Sequence, residues 1–216
     1  MTVFNFKYFR QTKEILGRMW EPNGECTRPM YQELHKMASY HKDTHAHMVR
    51  VGFMAVDLGI EAELSDQNLL TLGYAGVLHD VGKTKVPLEI LNKPTSLSEL
   101  ERKVMMEHPV NSYHILMDFP DKDVKYIVLA HHEYQEDGYR RKFKNGNEAI
   151  GHRHYNQDVC IMTQLVSAAD IIDALIRPRS YKPALPLTDV NRLFTEKYTG
   201  TEKFKYMVTN RLLNTR

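Results

Sequence analysis

The residues with the clearest potential for chemistry are His79 and Asp80, which lie side by side in the stretch VLHDVGK. An imidazole nitrogen and a carboxylate oxygen together suit a hard or borderline divalent metal ion. Because the two residues are adjacent, the carboxylate can also reach a second ion. The structural alternative is a helix end that the pair caps through an ion pair.

The elements around this pair indicate how it is positioned. An apolar helix covering residues 69–78 precedes it, and Ser65 can cap the start of that helix at Asp66. Gly82 is expected to break the helix after the pair. Lys83 then brings a cation to the place where a substrate phosphate would lie.

A histidine-rich patch, HKDTHAH, opens a long helix that Gly59 is expected to close. Asp43 and His47 are four residues apart and share one helix face, which suits two ligands of one site. His41 and His45 share a different face, so the two pairs cannot both point at one ion.

His108 is a further candidate ligand because it stands before Pro109, which is expected to start a new helix. Ser98 and Glu101 are spaced as a capping box for the preceding helix, which reaches Glu107. A histidine at such a junction can also be a plain C-terminal cap, so its position alone leaves both roles open.

Two later segments carry polar side chains at or within predicted apolar helices. His131 and His132 end an amphipathic helix, and both can reach one metal only if the helix unwinds there. Asp170 and Asp173 interrupt an apolar helix at residues 159–176, where a buried carboxylate is costly unless it is paired or bound to a metal. Asp173 is expected to hold a ligand histidine or a lysine.

Composition restricts the fold and the partners. The 216 residues are 42% hydrophobic, which is enough for one sizeable core, and we expect one domain. The 29 basic and 27 acidic residues are interspersed, and the sequence contains no block of basic residues. We therefore do not expect a nucleic-acid polymer as a partner. Cys26 and Cys160 form no CxxC motif, which fits a reducing compartment and argues against a thiolate zinc site. No apolar run approaches the roughly 20 residues that span a bilayer, so we expect a soluble, cytoplasmic protein without a membrane partner.

Several stretches of the sequence together resemble the motifs of one family. With HMVRV at His47, the run from VLHDVGK through VPLEILNKP to EHP resembles the HD-GYP branch of the HD superfamily of metal-dependent phosphohydrolases, over more than sixty residues. SAADIIDAL contains the D-x-x-D-A-L pattern of that family, and HHEYQEDGYRRKF resembles its HHE-x-x-D-G-x-G-Y-P signature. In this last stretch the spacing has slipped by one residue, the second glycine is missing and Arg140 replaces the proline.

The resemblance implies an all-α protein, a single HD-type helical bundle with a dimetal site in its core. We expect residues 1–40 to form N-terminal packing helices, residues 43–185 to hold the metal and substrate site, and residues 188–216 to form C-terminal helices. The metal ligands that the resemblance implies are His47, His79, Asp80, His108, His131, His132 and Asp170, with Asp43 as an extra candidate for a third ion. Such a set without thiolates exceeds one tetrahedral zinc site and fits two octahedral ions, iron or manganese, bridged by Asp80.

The resemblance also implies where substrate would bind. An arginine and a lysine after the last ligand grip the substrate phosphodiester in the family, and Arg179 and Lys182 fall on those positions. Tyr139 maps to the tyrosine of the signature, and Lys83 is expected to neutralise phosphate oxygens. The basic loop at residues 140–157 is either a solvated insertion or a lid whose cations meet substrate phosphates.

Three functions follow from these features. The first is an enzyme, a metal-dependent phosphodiesterase that hydrolyses a cyclic dinucleotide, with cyclic di-GMP favoured by the ligand set and the Arg179/Lys182 loop. Asp80 and Lys83 are its expected catalytic residues, with a metal-bridged hydroxide attacking phosphorus. The second is an HD-type phosphohydrolase on another nucleotide or phosphoester, which the altered signature favours. The third is a catalytically weak module that senses a nucleotide and signals to an unknown partner, which the complete ligand set disfavours.

Overall fold

The computed structural model describes residues 6–136, 138, 156–177 and 185–213. Over these ranges the chain is helical, and its β-structure is limited to one isolated bridge between Gln135 and Tyr198. A five-residue 3-10 helix, Val81–Lys85, follows the fourth α-helix. The α-helices of the described part are α1 Phe9–Met19, α2 Thr27–Tyr40, α3 Lys42–Glu61, α4 Asp66–Leu78, α5 Leu88–Leu91, α6 Glu99–Met106, α7 His108–Ile115, α8 Lys122–Ala130, α9 Gln157–Ile176, α10 Leu187–Lys197 and α11 Glu202–Leu213.

Helices α3 and α4 cross closely at the centre of the bundle. Gly52 and Gly76 allow this approach, since a Cβ atom on Gly76 would lie only 2.6 Å from the Gly52 Cα atom. Helix α9 packs on both α3 and α4. Its buried apolar side chains join theirs in one core, so the core lies where these three helices meet.

The predicted end of α3 at Gly59 is wrong, because the helix continues to Glu61. Gly59 is buried against α4, where a Cβ atom would lie 2.6 Å from Leu72 Cδ2 and 2.9 Å from Leu69 Cδ2. A side chain at residue 59 would therefore force the ends of Leu72 and Leu69 to shift. In a single sequence, a glycine that allows close helix packing looks the same as a glycine that ends a helix.

The helix break predicted at Gly82 also lies elsewhere. Helix α4 already ends at Leu78, and Gly82 lies inside the 3-10 helix. A Cβ atom on Gly82 would lie 2.1 Å from the His108 carbonyl oxygen. The Gly82 backbone N–H donates to Ser112 Oγ at 2.7 Å. This glycine therefore lets α7 approach the turn that follows α4.

The predicted helix caps are confirmed. The Ser65 side chain accepts a hydrogen bond from the Asn68 backbone N–H at the start of α4. Ser98 and Glu101 form a reciprocal capping box at the start of α6. Caps of this kind satisfy backbone donors that a helix leaves unpaired, so they determine where these two helices begin.

Helix α9 is 20 residues long and, by length and composition alone, apolar enough to cross a membrane, although the sequence prediction recognised no such run. Of its most apolar window, 78% is buried inside the protein. The apolar side chains of α9 belong to the core, and this accounts for the composition of the helix.

Helices near both ends of the chain pack against the three central helices α3, α4 and α9. In the N-terminal region, α1 packs on α3 and α4. Helices α10 and α11 lie in the region where C-terminal helices were expected. Arg211 of α11 is buried and forms ion pairs with Asp57 and Glu61 of α3. The assignment of the whole chain to one domain stays a prediction.

Candidate metal centre

Seven predicted metal ligands lie together in the core of the bundle. Their nitrogen and oxygen atoms form three groups, and within each group the atoms lie within 4.8 Å of one another. Because the groups share members, they form one continuous cluster. The groups are His47 with His79 and Asp170, His79 with Asp80 and His131, and His108 with His131 and His132.

Most of these ligands are brought together by helix ends. Helices that end or begin at the cluster present side chains from several directions, whereas α3 and α9 contribute ligands from within the helix. The ligands follow α4 (His79, Asp80), begin α7 (His108), follow α8 (His131, His132), or lie within α3 (His47) and α9 (Asp170).

Asp80 lies between the two outer groups. Its Oδ1 atom is 3.1 Å from His108 Nε2. Its Oδ2 atom is 3.3 Å from His79 Nε2 and 3.6 Å from His47 Nε2. One carboxylate thus faces histidines of both outer groups, which is the placement that a bridging ligand requires.

Three histidines are oriented by the backbone of their own segments. In each, Nδ1 donates to the carbonyl oxygen three residues earlier: Gly76 for His79 (2.8 Å), Met105 for His108 (2.8 Å) and Val128 for His131 (2.6 Å). A carbonyl oxygen only accepts, so Nδ1 carries the proton and Nε2 keeps its lone pair. The Nε2 atoms face the cluster, an arrangement typical of metal-binding histidines.

His47 is oriented by a carboxylate. Its Nδ1 donates to Asp173 Oδ2 at 2.8 Å, and Asp173 also accepts two hydrogen bonds from the Arg50 guanidinium at 2.7 and 2.8 Å. His47 Nε2 lies 3.1 Å from Asp170 Oδ1. The predicted contact between Asp173 and a histidine is therefore present. Arg50 was not predicted here, although it lies in the HMVRV stretch one turn after His47 and could have been found there.

Among the described residues, two buried polar atoms of the cluster, His79 Nε2 and Asp80 Oδ1, have no hydrogen-bond partner. Native proteins contain few such atoms, because leaving them unpaired is costly. A divalent ion would satisfy both of them. The donor set of imidazole nitrogens and carboxylate oxygens, without thiolate, also suits a hard or borderline ion. The residues present therefore fit a divalent metal ion.

Three histidines are held in the neutral form that metal binding needs. Burial, together with repulsion from His108, lowers the pKa of His132 to about 3. Burial also lowers the pKa of His108 and of His131 from the usual value. Only a neutral imidazole can donate its lone pair to a metal. These three side chains therefore need to release no proton at neutral pH.

His47 differs from the other histidines. Burial lowers its pKa, but hydrogen bonds to Asp170 and Asp173 outweigh burial and raise that pKa to about 9. Burial raises the pKa of Asp170, yet the hydrogen bond and the charge of His47, together with the neighbouring His79 and His132, hold it well below its usual range. Burial likewise raises the pKa of Asp80, and the charge of Lys83 together with the neighbouring His79 and His108 keeps that pKa well below its usual range. A metal must therefore displace a proton from His47.

The remaining predicted site residues lie at the edge of the cluster or outside the described chain. Asp43 is exposed in the first turn of α3, and its carboxylate is not among the grouped ligand atoms of the described residues. Lys83 Nζ lies 2.5 Å from Asp80 Oδ2. Three predicted substrate-binding residues lie outside the described residues: Tyr139, Arg179 and Lys182.

One side chain in contact with the cluster was not predicted at all. Gln135 Oε1 lies 2.9 Å from His132 Nδ1, and Gln135 Nε2 donates to Asp170 Oδ2 at 3.1 Å. This residue falls in the segment where the spacing of the HHE signature has slipped, so the resemblance assigned it no role.

Comparison with known proteins identifies the family. Residues 32–193 match a family model described as HD domain, which is more than half of the chain. Among curated relatives, a cyclic di-GMP phosphodiesterase of Pseudomonas aeruginosa is 30% identical over 154 residues, covering 71% of this chain and 35% of the relative. A cyclic di-GMP phosphodiesterase of Thermotoga maritima is 30% identical over 166 residues, covering 74% of this chain and 42% of the relative.

A third relative, the 3'3'-cGAMP-specific phosphodiesterase 3 of Vibrio cholerae, is 30% identical over 174 residues, covering 79% of this chain and 35% of the relative. The chain thus spans roughly two fifths or less of the length of these three relatives. Their names describe those longer proteins.

Among solved structures, the HD domain of the L. monocytogenes phosphodiesterase PgpH in complex with cyclic-di-AMP is similar to this chain with a TM-score of 0.60. The two are 15% identical, and the match covers 85% of this chain and 94% of the other. This likeness concerns the fold, and it confirms the predicted HD-type helical bundle with candidate metal ligands in its core. Since the HD-domain model spans all seven candidate ligands, from His47 to Asp170, and the curated relatives are named cyclic di-GMP phosphodiesterases, the chain belongs to the HD-domain family, in its HD-GYP branch.

Proposed function

We propose that this chain is a metal-dependent phosphodiesterase that hydrolyses a cyclic dinucleotide, with cyclic di-GMP as the first candidate. The observation that carries the proposal is the cluster of seven nitrogen and oxygen ligands around Asp80. The names of the relatives, which include cyclic di-GMP and 3'3'-cGAMP-specific phosphodiesterases, support the substrate class.

Two divalent ions fit the cluster, and we propose iron or manganese because imidazole and carboxylate ligands together suit these metals. Asp43 lies one helical turn before His47 on α3 and would serve a third ion. One ion would be held by His47, His79 and Asp170, the other by His108, His131 and His132, and Asp80 would reach both.

The bound ions would supply Lewis-acid activation of a water molecule and neutralise charge on the phosphodiester. The protein itself prepares the site for this chemistry. Lys83 is 21% exposed while Asp80 beside it is 1% exposed, so the ammonium lies between the buried carboxylate and solvent. We assign it the neutralisation of phosphate oxygens as negative charge develops on them.

Arg179, Lys182 and Tyr139 are proposed to bind the substrate. Replacing Arg179 or Lys182 by Ala should raise KM about 10- to 100-fold, because each change removes a charge-assisted hydrogen bond to phosphate worth about 1.5 to 3 kcal/mol. Metal content measured by elemental analysis should stay at the wild-type level. A variant that loses metal instead would place its residue in the ligand cluster.

The experiment that tests the proposal compares substrates on iron-loaded and manganese-loaded protein. Cyclic di-GMP, 3'3'-cGAMP, linear pGpG and a bis-aryl phosphodiester are incubated with wild type and with Asp80→Ala as the inactive control. Preferential hydrolysis of a cyclic dinucleotide, absent in Asp80→Ala, is the expected result. Turnover of the linear or aryl substrate alone contradicts it and favours an HD-type phosphohydrolase on another phosphoester, the alternative that the altered signature around Arg140 suggests. Tight dinucleotide binding without turnover in either metal form would instead indicate a nucleotide-sensing module.

A further inference from the structure

The side chain of Gln135 connects two metal ligands that belong to different groups of the cluster. Its Nε2 donates to Asp170 Oδ2 at 3.1 Å, and its Oε1 lies 2.9 Å from His132 Nδ1. The direct separation between His132 Nδ1 and Asp170 Oδ2 is 4.0 Å, which is beyond hydrogen-bond distance. The glutamine amide therefore joins two ligands that do not reach each other through these atoms.

The chemistry of these groups sets the direction of both hydrogen bonds. The Asp170 carboxylate can only accept, so the amide NH₂ of Gln135 must face it. The amide oxygen then faces His132, and Nδ1 of that ring must carry the proton. His132 Nε2 is left with its lone pair, 3.2 Å from His108 Nε2 inside the cluster. The Gln135 amide thereby selects the tautomer of His132 that can bind a metal.

His132 depends on a different kind of partner from its neighbours. The Nδ1 atoms of His79, His108 and His131 donate to carbonyl oxygens of their own segments, three residues earlier. His132 follows α8 and is paired instead with a side chain from the loop beyond it. The orientation of this ligand therefore depends on where the loop places Gln135.

The loop itself is held by the junction between the two C-terminal helices. Gln135 and Tyr198 form the isolated antiparallel bridge. The Glu136 backbone N–H donates to the Lys197 carbonyl oxygen at 2.8 Å, and the Thr199 N–H donates to the Tyr134 carbonyl oxygen at 3.0 Å. The Tyr198 ring is buried and stacks on Phe194 with ring centroids 5.1 Å apart. This packing anchors the backbone that positions Gln135.

We propose that Gln135 is a positioning residue of the metal centre, which fixes the tautomer of His132 and the orientation of Asp170, and which the junction of α10 and α11 holds in place. The inference rests on the proposed metal site, and it is independent of which phosphodiester the protein hydrolyses. Gln135 is assigned no contact with substrate.

Three variants separate its two hydrogen bonds. Gln135→Leu removes both, and Gln135→Asn keeps the amide but is one methylene too short to span the two ligands. Gln135→Glu keeps an acceptor for His132 while losing the donor to Asp170. Gln164→Leu is the matched control, because Gln164 is a buried glutamine of α9 that bonds to the Cys160 carbonyl oxygen and the Thr201 N–H.

Two measurements follow, neither of which needs turnover. Nitrogen-15 NMR of the histidine rings in metal-free protein should show His132 as the single Nδ1–H tautomer in wild type, Gln135→Glu and Gln164→Leu, and as a mixture in Gln135→Leu and Gln135→Asn. Calorimetric titration with Mn²⁺ should show affinity reduced about 10- to 100-fold in those last two variants and unchanged in Gln164→Leu.

Wild-type tautomer and wild-type Mn²⁺ affinity in Gln135→Leu or Gln135→Asn would overturn the proposal. If circular dichroism shows that Gln135→Leu does not fold, the more conservative Gln135→Asn decides the question. A wild-type protein that binds Mn²⁺ but hydrolyses no cyclic dinucleotide would contradict the proposed function while leaving this test intact.

Discussion

The substitution Gly82→Ala is expected to damage the metal centre, although residue 82 contributes no ligand. The new Cβ atom would lie 2.1 Å from the His108 carbonyl oxygen and 2.5 Å from the Ser112 backbone nitrogen. Cβ atoms do not come within 3.0 Å of such atoms, so α7 must move away from the turn by about 0.9 Å. Both contacts are with backbone, which no rotamer change can relieve.

The cost can be worked out from these contacts. Overpacking of this kind typically destabilises by about 1 to 3 kcal/mol. Separation of the turn from α7 also breaks the hydrogen bond from the Gly82 N–H to Ser112 Oγ, worth about 0.5 to 1.5 kcal/mol. We expect a total loss of about 2 to 4 kcal/mol, or a fall in Tm of roughly 5 to 15 °C for a chain of this size. Because His108 moves with α7 and metal ligands must be placed within about 0.5 Å, Mn²⁺ affinity should fall at least about tenfold.

Thermal unfolding and Mn²⁺ titration check both parts of this prediction. Gly17→Ala is the matched control, since a Cβ atom there meets nothing within 4 Å in the described part of the chain and the residue lies within α1. That change should stabilise by about 0.5 to 1 kcal/mol, because alanine favours the helix over glycine. A Gly82→Ala protein with wild-type Tm and metal affinity would refute the close approach of α7 to the turn.

Three further predictions concern the ligands. His79→Ala and Asp80→Ala should each abolish both metal content, measured by elemental analysis, and hydrolysis, measured by activity assay. Wild type should carry about two ions per chain. Full metal content in either variant would contradict the assignment of these residues as ligands. Asp173→Asn should weaken Mn²⁺ binding about 10- to 100-fold in titrations, because its carboxylate orients His47, while KM stays at the wild-type value. The affinity for Mn²⁺ should rise about tenfold per pH unit between about pH 6.5 and 8.5, since the metal displaces a proton from a His47 whose pKa is raised to about 9. An affinity independent of pH across that window would show that His47 binds no metal or is already neutral.

The grouping of these seven side chains could be predicted from the sequence because each of them lies in a short local pattern. His79 and Asp80 follow an apolar helix, His131 and His132 follow another, and Asp170 interrupts a third. Helical periodicity reports where such helices run, and a polar residue at a helix end or on an apolar face is visible without any tertiary information. The resemblance to the motifs of a known family then indicated that these separate positions come together in one site.

The two glycine predictions failed for a shared physical reason. Gly59 and Gly82 both stand where a stop signal would stand, yet at each position a Cβ atom would come within 3.0 Å of atoms from another helix. The partner of Gly59 is α4, and the partner of Gly82 is α7, which begins 26 residues later. Local pattern does not contain that information, because the distance between the two segments is decided by the fold.

Gln135 illustrates a second limit. Its role depends on the pairing of its loop with the segment around Tyr198, more than sixty residues later in the chain. The spacing after the paired histidines differs by one residue from the family signature, so the signature assigned Gln135 no role. The substrate contacts of Tyr139, Arg179 and Lys182, the cytoplasmic location and the choice between iron and manganese stay predictions.

The charges of the cluster suggest how metal binding and substrate binding are linked. The carboxylates of Asp80 and Asp170 are faced by the Lys83 ammonium at 2.5 Å and by the His47 ring at 3.1 Å, so each buried negative charge has a nearby cation. Two divalent ions would replace both cations, displacing the His47 proton and releasing Lys83 from Asp80. The site would then carry excess positive charge beside a half-buried lysine, and under the proposed function an anionic phosphodiester would restore neutrality. Lys83 would thus stabilise the ligand cluster before metal binds and attract substrate afterwards.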